Sequence, residues 1–332
     1  MLSVAARVFV SKVGVGNKGS TMQAIINAAL PVFALILVGY LAAWRQIMGE
    51  RETDALNRFV VYLALPALLF QAMAKASWAE LANIHFLASF GGGMMLTFFV
   101  SLLLDRRWRT RLTDASIEGL AAAYSNTGFM GIPLCLIALG PKSLPPAVIA
   151  SVLTVCVLMA AAIILIEMDL QSEPNWEKML GKVGRSLGTN PLLISPVLGL
   201  VYAATGLSLP SPVLNFTTLL GNAASPCALV TIGLFLAQSK VAGSGATVGR
   251  LVGLKLILQP AITATLALFL FPMSSVWTHT AILLSALPIG TGPFMLAKLY
   301  EREAAVTSRA ILLTTLGSLL SISLLLAWMQ GR

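Results

Sequence analysis

The sequence predicts an all-α polytopic membrane protein: ten transmembrane helices forming two inverted repeats of five, with broken, crossing helices 4 and 9. Three observations lead there. The 332 residues are 57% hydrophobic and only 11% charged, whereas a soluble domain carries about 25% charged residues because its surface faces water. Ten apolar stretches come close to the roughly 20 residues that an α-helix needs to cross the hydrocarbon layer. Two of these stretches, in corresponding positions of the two halves, are dense in glycine and proline.

The stretches are 22–44, 55–74, 84–104, 116–139, 146–168, 190–206, 211–237, 248–271, 278–299 and 306–329. They are rich in Leu, Ala and Val, too long for strands, and lack the alternation of an outer-membrane barrel. The longest connector, 169–189, divides the chain into a first five-helix repeat (22–168) and a second (190–332). Residues 1–21 carry Arg7, Lys12 and Lys18 around a weak apolar patch and make a poor signal peptide. They are expected to be a tail without functional role, or an extension from an upstream start codon. Cys135, Cys156 and Cys227 all lie inside apolar runs and read as small packing residues.

The net charge of +9 is scattered through short loops and forms no stripe, which excludes a nucleic-acid partner and instead orients the chain. Fifteen basic residues fall in the loops of one face, among them Arg45, Arg106, Arg107, Lys178, Arg250 and Arg302. The other face has six, or three without the tail. The richer face is predicted to be cytoplasmic, which places both termini outside and the central loop inside, in a cell inner membrane.

Five spans per half is an odd number, so a second half of the same fold would sit upside-down relative to the first. In the fourth span Gly128, Gly131 and Pro133 fall within the run Asn126–Pro133; in the ninth, Pro288, Gly290, Thr291, Gly292 and Pro293 follow Leu287. Proline removes a backbone donor and clashes with the preceding turn, costing about 3 kcal/mol inside a helix, and glycine adds roughly 1 kcal/mol relative to alanine. Such density predicts an unwound turn at mid-membrane. Freed backbone groups are tolerated there only when buried in protein or facing a wet cavity. The half-helix N-termini so created would offer N–H groups and a positive dipole end to an anion. The competing account is a pair of proline kinks that shape packing alone. Gly91, Gly92 and Gly93 have no counterpart in the other half and read as close helix packing.

The run Asn126-Thr127-Gly128-Phe129-Met130-Gly131-Ile132-Pro133, the prolines around 287–293 and the spacing of Lys255 and Pro260 resemble the auxin efflux carrier family of bacterial and plant transporters. The resemblance covers essentially everything after residue 21. It implies an inverted-repeat carrier with crossed, broken fourth and ninth helices around its substrate, a small organic anion such as malonate. The plant members' long hydrophilic central loop is about twenty residues here, so regulation through that loop does not carry over.

Few ionisable residues sit at membrane depth. Lys255 either snorkels to the interface or faces the cavity as charge complement to a carboxylate. Glu118 is read as an interfacial carboxylate paired with loop arginines, against a proton-coupling role; Glu167 and Asp169 are read as interfacial, and His85 and His279 as surface residues. Asn126 is the leading site candidate, because an amide at an unwound turn can bond both substrate and freed backbone. The expected substrate site is therefore Asn126, Thr127, Gly128, Gly131, Pro133, Lys255, Pro288, Gly290, Thr291, Gly292 and Pro293, with no metal, cofactor or catalytic group. Partners reduce to the anion, the bilayer and, left open, a second copy in a homodimer. Two other functions compete with a permease working by alternating access. A sodium-coupled bile-acid-type symporter would need cation ligands near the crossing, where Thr291 and backbone carbonyls alone are available. An intramembrane enzyme would need His85 or His279 at mid-membrane.

Overall fold

The computed structural model describes residues 18–75, 83–107, 111–170, 188–238 and 245–330, together with positions 181 and 184. The first 17 residues and most of the central connector lie outside the described residues. Of the expected tail, Lys18 to Thr21 are already helical. The described residues contain no strand, and helices cover every predicted span: α1 Lys18–Trp44, α2 Glu50–Ala74, α3 Ile84–Asp105, α4 Leu112–Ala123, α5 Thr127–Leu139, α6 Pro141–Leu170, α7 Pro191–Ala204, α8 Ser211–Gln238, α9 Gly245–Leu270, α10 Ser275–Ser285, α11 Gly292–Leu299 and α12 Ala305–Gln330. By length and composition, α2, α3, α6, α8, α9 and α12 each suffice to cross a membrane. The fourth and ninth stretches are each split in two, into α4 and α5 and into α10 and α11.

Local chemistry sets several boundaries. Asn83 caps α3 by accepting from the Phe86 N–H at 3.1 Å, and Asn190 caps α7 by accepting from Leu192 at 3.0 Å, with Pro191 following as a preorganised first residue. Asp169, exposed at the end of α6, accepts from the Thr113 N–H (2.9 Å) and hydroxyl (2.6 Å) and so anchors the start of α4. Four helical stretches widen into a π turn that ends two residues before a proline: Val60–Ala64 before Pro66, Thr127–Gly131 before Pro133, Leu254–Leu258 before Pro260 and Leu266–Leu270 before Pro272. In each, the residue preceding the proline donates its N–H five residues back. The proline ring would clash with the carbonyl four residues earlier, and the wider turn relieves that clash.

The helices pack in two groups. α1, α2, α7 and α8 form one; α3, α4, α6, α9, α10 and α12 form the other. The α1–α8 contact is the closest: a methyl at Gly39 would collide with the Val230 carbonyl, and one at Gly233 with the Ile36 carbonyl. Gly93 likewise abuts Thr263 of α9, so part of the triple glycine serves helix packing as expected.

Candidate functional site

The two interruptions meet. α4 ends at Ala123 and α5 begins at Thr127; α10 ends at Ser285 and α11 begins at Gly292. Between them Ser125 and Ile289 form an antiparallel bridge. The Asn126 N–H donates to the Pro288 carbonyl at 2.9 Å and the Gly290 N–H to the Tyr124 carbonyl at 3.0 Å. Backbone groups freed by unwinding thus satisfy each other across the crossing. The Ile289 N–H finds the Thr314 hydroxyl of α12 at 3.1 Å.

The crossing depends on missing side chains. A Cβ at Gly292 would lie 2.6 Å from the Tyr124 ring, one at Gly290 3.0 Å from the same ring, and one at Gly131 2.6 Å from Leu284. Gly128 differs, with nothing within 4 Å of the position its Cβ would take. It borders a cavity of about 60 Å³ between the two helix groups. Tyr124, Ser125, Asn126, Thr127, Gly128, Phe129, Gly290 and Thr291 line it from the crossing, Leu65 and Leu69 from α2, Leu192 from α7.

The first turn of α5 opens onto this cavity. Its N–H groups at Met130 and Gly131 return to the Asn126 carbonyl, and that of Thr127 to Ser125. The Gly128 and Phe129 amides have no intrahelical acceptor, as the first turn of a helix requires. The half-buried Asn126 has its backbone fully engaged, while its side-chain amide bonds to none of the described residues. Two orphan amides, an unused carboxamide and a positive helix end together suit a carboxylate oxygen.

Lys255 occupies neither place expected of it. It does not snorkel, being 0% exposed, and it is not among the residues lining the cavity. Its ammonium donates to Ser125 Oγ at 2.9 Å and to the Ser285 carbonyl at 2.7 Å, behind the crossing, where α4 and α10 end. One turn on, Gln259 Nε2 donates to the Ala123 carbonyl at 3.0 Å. The Lys255 amine and the Gln259 amide of α9 therefore satisfy C-terminal groups of both half-helices. The π turn before Pro260 contains Lys255. Pro133, Gly131, Gly292 and Pro293 are buried beside the crossing, while Thr291 is exposed at the cavity.

A family model described as membrane transport protein matches residues 24–326. The chain belongs to that family. Within this membrane transport family it is 31% identical over 315 residues to a Rhizobium meliloti protein named "Putative malonate transporter", covering 92% of this chain and 96% of the relative. It is 26% identical to an uncharacterized transporter of Methanocaldococcus jannaschii (90% and 97% covered) and 25% identical to auxin efflux carrier component 5 of Arabidopsis thaliana (92% and 95%). The resemblance to auxin efflux carriers read from the fourth, eighth and ninth spans is thereby borne out, and with it a transporter in a membrane.

Sequence reasoning missed Tyr124, Ser125, Gln259 and Ser285. Gln259 stands beside Pro260 and Tyr124–Ser125 immediately precede Asn126, so adjacency to a helix breaker was the available signal. Glu167, read as interfacial, is 2% exposed and accepts a hydrogen bond from Tyr300 at 2.7 Å. His85 is exposed, as expected, with Nδ1 2.8 Å from the Pro272 carbonyl.

Proposed function

We propose that this membrane transport protein is a secondary carrier of small organic anions, mono- or dicarboxylates, working by alternating access across the cell inner membrane. In this reading residues 22–168 and 190–332 are inverted five-helix repeats, both termini lie outside, and the α1–α2–α7–α8 group rocks against the rest around the cavity. The observation that carries it is the crossing itself: two interrupted helices bonded back to back, with the free amides of α5 and the Asn126 carboxamide turned to a cavity between the two groups. The name of the Rhizobium relative supports a dicarboxylate of malonate's size. Substrate contacts fall on Asn126, Thr127, Gly128, Gly290 and Thr291; Gly131, Pro133, Pro288, Gly292, Pro293 and Lys255 hold the crossing that presents them.

The test is uptake of radiolabelled malonate into proteoliposomes in sodium-free buffer, with unlabelled carboxylates as competitors. Saturable, competed uptake is expected, and Asn126→Ala lowers it by about tenfold, the weight of one hydrogen bond to a charged group, while membrane insertion stays intact. Native-like uptake by Asn126→Ala would remove the site assignment. Uptake strictly requiring sodium would transfer the reading to the bile-acid-type symporters.

A further inference from the structure

A second cluster of charge lies behind the crossing, outside the cavity. Asp105 ends α3, Glu118 sits midway along α4, and Arg250 lies in the second turn of α9. One terminal guanidinium nitrogen of Arg250 forms ion pairs with both carboxylates. The Asp105 side chain is 1% exposed, those of Glu118 and Arg250 21% and 22%. Neither Asp105 oxygen, both buried, accepts a hydrogen bond of sound geometry.

The charge count does not balance. Two carboxylates share one cation, which leaves a net negative charge in a nearly closed site between three helices. Like charges held this close do not both ionise readily, and a proton on one of them restores neutrality. A proton would also let one carboxyl donate to the other, since two carboxylates are otherwise acceptors only. Other titratable groups on the surrounding helices are engaged as well. Asp114 of α4 is held by Arg302 at 2.7 Å, Asp169 of α6 by Thr113, and Lys255 by the crossing. Glu167 of α6 takes Tyr300, and Arg309 of α12 is engaged. The side chains of Arg106, Arg107 and Lys298 lie outside the described set.

We propose that Asp105 and Glu118 hold one exchangeable proton against Arg250, and that this proton is the ion coupled to anion transport. The inference rests on the carrier reading given above. The cluster is placed to act on the site because α4 and α9 are joined twice, by Arg250 with Glu118 and again by Lys255 and Gln259 with Ser125 and Ala123. With the proton bound, the cluster is neutral and its helices cross a low-dielectric path without an uncompensated charge. A lone negative charge there opposes the crossing of the anion-loaded carrier; once the anion is released, the proton leaves to water through the partly exposed Glu118 and the empty carrier returns without it. Transport therefore falls as pH rises.

The experiment uses the full-length carrier in proteoliposomes with a trapped pH dye and malonate as the probe. Native protein is expected to show a proton flux with net malonate uptake, and uptake that changes by about fivefold or more between roughly pH 6 and pH 8. Glu118→Gln keeps the hydrogen bond to Arg250 but not the dissociable proton, so both the dye signal and the pH dependence should flatten; Asp105→Asn should do the same. Malonate uptake without a dye signal, or a dye signal and pH profile undiminished in Glu118→Gln, overturns the proposal, the second result assigning the proton to the substrate itself. Absence of malonate exchange by the native protein would instead count against the carrier reading and sink both.

Discussion

The two interruptions are built from the same residue types and do different work. In the fourth stretch the break is three residues long, and the helix resumes at once through a π turn whose first amides are left free. Its Gly128 leaves open space. In the ninth stretch the break spans six residues, Ala286 to Thr291, and its Gly290 and Gly292 make room for the Tyr124 ring from the other side. In the proposed carrier the first interruption would serve as the receptor, joined at the cavity by Gly290 and Thr291, and the rest of the second as the wall it leans on. Glycine density alone does not tell the two apart; what stands opposite each glycine does.

That contrast can be broken by substitution. The largest effect is expected at the wall. Gly292→Ala drives a methyl into the half-buried Tyr124 ring, a cost on the order of 1–3 kcal/mol, and should lower the detergent-solubilised Tm and abolish malonate uptake together. Lys255→Met comes next. It leaves the Ser285 carbonyl buried without its donor, costing about 1–2 kcal/mol, and should loosen the crossing enough to reduce uptake while the protein still inserts; limited proteolysis at the crossing would register the loosening. The smallest effect on the fold is expected at the receptor. Gly128→Ala meets no neighbour and gains roughly 1 kcal/mol of helix propensity, so its Tm should hold or rise, yet the methyl enters the cavity and should raise the KM for malonate by about tenfold. Equal destabilisation by Gly128→Ala and Gly292→Ala would erase the asymmetry.

Much of this was legible in the sequence, for identifiable reasons. Among the described residues, hydropathy located the long apolar helices because burial in lipid demands long apolar runs, and the glycine–proline density at 126–133 and 287–293 marked where helical hydrogen bonding fails. Partners across the fold were not legible. Lys255 could be placed at membrane depth, but its assignment to Ser125 and Ser285 depends on how α9 lies against two helix ends 130 and 30 residues away. Arg250 counted only as a loop charge, and nothing singled out Asp105, because each stands near the end of an apolar run. In space a neighbouring helix covers that end, and Asp105 is closed off from water.

The notched seam between α1 and α8 bears on how such a molecule can move. Gly39 receives the Val230 backbone and Gly233 receives the Ile36 backbone, so each helix is keyed into the other at two heights. A slide of one residue along that seam would push side chains into spaces that admit none. In the proposed alternating-access cycle the pair would therefore move as a single rigid spar, with shape change absorbed at looser joints. A disulfide stapling the seam should consequently be silent in function, while one bridging the spar to its moving neighbours should lock the machine.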